Sequence, residues 1–450
     1  MNLRGNRFSP FPEGPRLRIG RVAIYAALIV AGAGLFSLLD SGRIQPLYSP
    51  TPTPTRPAAS HLAEGQAFFD AGQLDEAILA YQRALALDPD NAELWIELAR
   101  IQTYSSDLVT TDADRSARLG DAQQSIAKAL ELAPENPTAY AIKALVLDWS
   151  ADPGLVGVER SSALLNEAAQ SAVKALQLEP NNPLALAFMA EVLADQLNWS
   201  QALDVGEQAV GLAPQVMDVH RAYAKVLESS GDYTGAIASY QQAIALNPNL
   251  PFLYLSMGAN YRYRRKPPDD PNAAQRDFDL ALEAYSMAAR LNPKNPLPYL
   301  SIASTYANQG EFFIAERNAQ KALTLDPTNA DIYGRLGVLY YRARNYEGSL
   351  PVLRCAVRGC PSAENEEGHR LAGDDLVLDV TALPLSASTL NYYYTYGSAL
   401  AYFGGCAEAQ QIFAELRASP WIDSDVEGII QVGERICTGA ASASSATSTP

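Results

Sequence analysis

Gly231–Pro248 reads GDYTGAIASYQQAIALNP, and its internal spacing sets the reading of everything around it. After a turn glycine, Ala236, Tyr240, Ala243 and Leu246 recur at three- and four-residue intervals, the period of one face of an α-helix. Pro248 then stops the helix, because proline lacks the N–H that the next turn would need. The same spacing returns upstream to near residue 58 and downstream to near residue 420. Self-similarity at a fixed period marks a solenoid, in which each unit buries its apolar face against its neighbours.

Aligned on the closing proline, the first unit runs over Ala58–Asn91, with Gly65, Phe68, Ala77, Tyr81, Ala84, Leu87 and Pro89 in register. Units at 183–216, 217–250, 296–329 and 330–363 have the same 34 residues, whereas those at 92–136, 137–182 and 251–295 have 45, 46 and 45. The extra residues fall between the two helices of a unit. They read as an early start to the second helix, with Asp112 and Asp270 as caps and Pro271 in a first turn; plain loop elaboration is the other reading.

These residues and offsets resemble the tetratricopeptide repeat (TPR), a helix pair with small residues where the helices cross and aromatics between pairs. The resemblance implies an all-α fold, a right-handed α-solenoid of about nine TPR-like helix pairs. It also implies a concave face, lined by each first helix, that binds extended peptides or helices. The residues on that face are Arg100, Tyr104, Trp149, Arg221, Lys225, Arg262, Tyr263, Tyr341, Arg342 and Tyr394. Basic and aromatic groups of this kind would suit an acidic or carboxylate-bearing segment. The lysine and asparagine clamp by which some TPR proteins hold chaperone tails is not reproduced.

The chain has a net charge of −16. Five arginines and one glutamate give residues 1–21 a local charge of +4, which leaves −20 for the remainder. So acidic a body excludes nucleic acid as the main partner. Val22 to Leu39 carries no charge over 18 residues, about the length that spans a bilayer as a helix. With arginines concentrated ahead of it, the positive-inside rule places residues 1–21 in the cytoplasm and the repeats outside. A cleaved signal sequence, with Ala31-Gly32-Ala33 as its small-residue site, is the alternative. Residues 40–57, rich in Pro and Thr, read as a linker, and 58–363 as eight repeat units.

Beyond Pro361 the pattern breaks. Residues 364–389 read as an insertion that forms either a short strand pair, on the alternation of Asp375–Val380, or an ordered loop packed on the solenoid. Residues 390–437 read as an atypical ninth repeat with a capping helix over the last apolar face, and 438–450 as a disordered tail. All four cysteines, Cys355, Cys360, Cys406 and Cys437, lie in this part. In an exported chain they favour disulfides. Cys406 and Cys437 would meet across an antiparallel helix hairpin turning near Pro420, leaving Cys355 to pair with Cys360. A metal site with His369 lacks a recognised ligand spacing.

No nucleophile elbow, phosphate loop or zinc-protease motif is present. His61 and His220 occupy packing positions early in a first helix. The sequence therefore implies no enzyme chemistry, no cofactor and no metal. It points to a membrane-anchored extracytoplasmic scaffold for protein–protein interaction, serving an envelope assembly or secretion. Two other readings stay open: a non-catalytic recruiting subunit of an envelope transferase, and a cytosolic regulatory module of inverted topology.

Overall fold

The computed structural model describes residues 19–40, 56–264, 270, 272–373 and 375–446. The basic segment up to residue 18, linker residues 41–55, Pro271 and the last four residues lie outside the described residues. The chain divides into two units, Met1–Arg56 and Pro57–Pro450.

In the first unit, α1 spans Ile19–Asp40. Its stretch Gly20–Leu38 has no buried residue and is long and apolar enough to cross a membrane.

The second unit is a solenoid of helix pairs. Unit 1 pairs α2 (Ala58–Asp70) with α3 (Leu74–Leu87), and unit 2 pairs α4 (Ala92–Ser105) with α5 (Asp112–Leu132). Unit 3 holds α6 (Pro137–Trp149), the short α7 (Pro153–Val156) and α8 (Val158–Leu178). Units 4 and 5 contribute α9 (Pro183–Asp195) with α10 (Trp199–Leu212), then α11 (Met217–Ser229) with α12 (Tyr233–Leu246). Units 6 and 7 follow as α13 (Pro251–Tyr263) with α14 (Ala273–Leu291) and α15 (Leu297–Asn308) with α16 (Phe312–Leu325). Unit 8 pairs α17 (Ala330–Arg342) with α18 (Tyr346–Arg358), and the short α19 (Glu366–Ala372) follows it. The ninth unit is α20 (Leu390–Tyr402) with α21 (Cys406–Ala418), capped by α22 (Ser424–Ala446).

The repeated residues do the packing. Ala77, Ala84, Ala202, Ala236, Ala243, Ala281, Ala315 and Ala356 are buried to within a per cent of fully. At Gly65 and Gly258 an added Cβ would lie 2.7 and 2.5 Å from the Tyr81 and Tyr285 rings, so the glycine lets the aromatic of the second helix lie flat on the first. Between units, the residue after the closing Pro turn caps the next helix. Asn91, Asn136, Asn182 and Asn329 each accept a hydrogen bond from a backbone N–H in the first turn, where such groups have no helical partner. His220 Nε2 donates to the Pro214 carbonyl at 2.9 Å, tying a first helix to the turn before it.

The lengthened units carry longer second helices: α5 and α8 have 21 residues and α14 has 19, against 14 in α3, α10, α12 and α16. The caps differ from expectation. Thr111, whose hydroxyl accepts from Asp114 N, caps α5, and Asp112 is already helical. α14 begins at Ala273, and Asp270 instead accepts from Asn272 N and pairs with Arg276.

The solenoid closes on itself after about one turn. Asn249 Nδ2 donates to the Asp70 carbonyl at 2.8 Å, Asn295 Nδ2 to the Leu108 carbonyl at 2.7 Å, and Asn329 Nδ2 to Thr110 Oγ1 at 2.6 Å. Gly72, at φ +75°, lies so close to this seam that a Cβ would meet the Asn249 carbonyl oxygen at 1.8 Å.

Cys355 is bonded to Cys360 and Cys406 to Cys437. The insertion takes the form of an ordered loop packed on the solenoid rather than a strand pair: among the described residues it holds α19 and an isolated bridge. Cys360 and Val380 exchange backbone hydrogen bonds of 3.0 and 2.9 Å. Leu378 and Val380 are buried while Leu376 and Val377 are exposed, so the alternation clips an extended segment to the solenoid. His369 is part of the clip, its Nε2 2.8 Å from the Ser362 carbonyl. The tail expectation is corrected over residues 439–446, where the Ala-rich chain continues α22.

Candidate functional site

The first helices of units 2 to 6 meet at their inner ends. Positions four residues apart on a helix share a face; Arg100 and Tyr104 of α4, Glu191 and Asp195 of α9, and Arg221 and Lys225 of α11 are such pairs. Because the solenoid is tightly wound, α4 reaches across to α11 and α13. Arg100 Nη1 donates to both Asp218 oxygens, at 3.0 and 3.2 Å, and Nη2 to Glu97 at 2.7 Å. The Tyr104 hydroxyl donates to Asp218 as well. The Tyr104 ring stacks on Phe252 at 5.0 Å between centroids and tilts against Trp149 at 5.8 Å.

Arg221, 2 % exposed, donates through both terminal nitrogens to Glu191, one bond measuring 3.0 Å. Its guanidinium lies 5.3 to 5.7 Å from the Tyr104, Trp149 and Phe188 rings, a cation–π cage around a charge that a carboxylate already neutralises. Lys225 pairs with Glu228 at 3.2 Å. Burial alone would raise the Asp218 carboxyl, but Arg100, the Tyr104 hydroxyl and Arg221 outweigh it and hold the group below its ordinary value.

The structure thus brings Arg100, Tyr104, Trp149, Arg221 and Lys225 together, with the first four sequestered among internal partners. The acidic residues that complete this cluster, Asp148, Glu191, Asp195, Asp218 and Glu228, were missed in the sequence. They stand on the same inner faces, so reading those faces for both signs of charge would have found them.

The other face residues lie apart, on units 6 to 9. Arg262 is half-buried and donates weakly to Ser304, and Tyr263 is 63 % exposed. Arg342 donates to the Ala307 carbonyl and lies 5.4 Å from the Phe312 ring. Tyr394 packs half-buried against the core of the ninth unit. Tyr341 starts an aromatic row in which Tyr341, Tyr346, Tyr402 and Phe403 follow one another at 5.0, 5.1 and 5.8 Å. Tyr402 and Phe403 remain 63 % and 49 % exposed.

Below the caged Arg221 a cavity of about 360 Å³ is bounded by Asp107, Arg115, Asp148, Trp149, Asp195 and Lys225 among others. Among the described residues no group of three or more His, Cys, Asp or Glu side chains is placed to hold a metal ion.

The family described as TPR repeat matches residues 65–102 and 224–262, and that described as tetratricopeptide repeat matches 300–364. The helix pairs of these segments are tetratricopeptide repeats, so the chain carries TPR repeats. No curated protein matches it. Among solved structures it is similar to yeast Tom70, at 14% identity over 86% of this chain and 90% of that one, with a TM-score of 0.47. It is also similar to human IFIT1, solved as a dimer with m7Gppp-AAAA, at 18% identity over 84% and 92%, with a TM-score of 0.43. MamA matches at 23% identity over 39% of this chain and 95% of that one, with a TM-score of 0.31.

Proposed function

We propose that this TPR protein is a membrane-anchored, extracytoplasmic scaffold that holds a protein partner on the part of its inner face left open in units 6 to 9. The observation that carries the reading is the aromatic row from Tyr341 to Phe403. Aromatic rings packed edge to face in a row, with Tyr402 and Phe403 left exposed, offer contiguous apolar area at low entropic cost, the make-up of an interaction hot spot. Arg342, next in sequence to Tyr341, and Arg262 on unit 6 add positive charge to these units, which suits a partner segment bearing carboxylates. The two disulfides support an oxidising compartment for the repeats, and α1 supports the anchor.

Two measurements test the two halves of the reading. Protease added to intact cells should remove the repeats, and the mass should rise on reduction and alkylation of all four cysteines; protected repeats would overturn the extracytoplasmic placement. Crosslinking followed by mass spectrometry should capture a partner through units 6 to 9. Replacing Tyr402 and Phe403 together by Ala should then weaken capture by about tenfold or more, as truncation of hot-spot aromatics does. Undiminished capture would remove the aromatic row as the docking surface.

A further inference from the structure

The cavity between units 2 to 6 carries a charge that the protein does not balance. Each cation at its wall is already engaged: Arg115 with Asp152 at 3.1 Å, Lys225 with Glu228 at 3.2 Å, and Arg221 with Glu191. Asp148, on the last turn of α6, is left over. It is 5 % exposed, and its Oδ1 has no hydrogen-bond partner. The Nε atoms of Arg115 and Arg221 also lack a partner, yet both guanidiniums are neutralised through their terminal nitrogens, so the surplus at the cavity is negative. Burial, with repulsion from Asp195 and Glu191, pushes the Asp148 carboxyl well above its ordinary range, and Arg221 and Lys225 offset this only in part.

A buried carboxylate oxygen with nothing to accept from is costly, and the surroundings show what would relieve it. Trp149, Leu165 and Phe252 contribute apolar wall, while Asp195 stands exposed at the end of α9 on the same rim. A charged head would meet carboxylates, and a hydrocarbon stem behind it would meet aromatic and aliphatic surface. We propose that the cavity binds a cationic amine, a primary ammonium on a short hydrocarbon stem, with Asp148 as its buried counter-ion, Asp195 at the mouth and Trp149 beside the stem. The ammonium is that of a partner's lysine side chain or of a free alkylamine. This site is separate from the aromatic row of units 8 and 9, and it stands whether or not that row captures a partner.

Calorimetric titration of the full chain in detergent tests it, with n-butylammonium chloride and an end-blocked Gly-Gly-Lys-Gly-Gly peptide as probes. n-Butanol and the same peptide with Gln for Lys are the neutral controls. Saturable binding of a cation without its neutral counterpart is expected, weakened about tenfold or more in Asp148→Asn. Asp195→Asn, at the more exposed position, should weaken it less, and it keeps the test open where Asp148→Asn does not fold. Tighter binding of the peptide assigns the ammonium to a protein partner, and tighter binding of n-butylammonium assigns it to a free amine. Absence of saturable cation binding, equal binding of the neutral probes, or unchanged affinity in the variants overturns the proposal.

Discussion

Asp148 holds its proton to higher pH in the folded chain than in the unfolded one. Burial is the main cause, repulsion from Asp195 and Glu191 adds to it, and Arg221 and Lys225 oppose it. The folded state therefore binds more protons than the unfolded state between the ordinary aspartate value and the raised one, and stability falls as pH rises through that window. Asparagine of the same shape carries no such penalty. Asp148→Asn is expected to melt above the wild type at neutral pH and to match it below about pH 4, where both states of the wild type are protonated. Because Asp195 and Glu191 repel the Asp148 carboxylate, the difference between the two melting curves reports Asp148 together with that repulsion. A gain at neutral pH alongside lost amine binding would show stability given up for a site. This residue also marks where the sequence stops being legible. Arg100, Tyr104 and Arg221 could be placed on the inner face from their offsets, but that they close on one another depends on α4 reaching α11 and α13. That crossing joins residues more than a hundred positions apart, and no local pattern encodes it.

At the scale of single elements the sequence was far more informative, because each helix pair is specified by contacts within its own unit. Ala236 follows the turn at Gly231, and it is fully buried at the crossing of α12 with α11. Replacing it with Leu should overpack that crossing and cost about 1 to 3 kcal/mol in chemical denaturation; an unchanged midpoint would mean that the crossing lies elsewhere. The extended second helices of units 2, 3 and 6 were legible for the same reason: the apolar period simply starts earlier. Their caps were less so, since Thr111 and Asp112 are both good capping residues and only the backbone turn at Thr111 decides between them. The DLVLDV alternation misled because a period of two reports one buried and one exposed side of extended chain, whether or not a second strand is there to pair. Here the partner is the end of unit 8, through Cys360.

At the scale of the whole solenoid, Asp218 joins what the winding brings together. It stands on unit 5 and receives Arg100 and Tyr104 from unit 2, with Asp218 and Arg100 side chains only 11% and 12% exposed. Removing Asp218 leaves Arg100 with Glu97 alone and the Tyr104 hydroxyl without its acceptor, so Asp218→Ala should cost about 1 to 3 kcal/mol. The effect should also be visible in shape. Ala236→Leu disturbs contacts within one unit and should leave the radius of gyration in small-angle scattering unchanged, whereas Asp218→Ala removes a tie across the turn and should expand it. Acid should do the same to the wild type, at a pH set by Asp218 itself. Its carboxyl is held below the ordinary value in the folded state, so the stability it contributes is complete above about pH 4 and is lost only as pH falls through the lower, folded value. Scattering across an acid titration should therefore show the wild type staying compact through the range in which exposed carboxylates titrate and expanding below it, with Asp218→Ala already expanded at neutral pH. Were both proteins compact at neutral pH and expanded together at ordinary carboxylate values, the Asp218 pairings would not be what holds the turn closed.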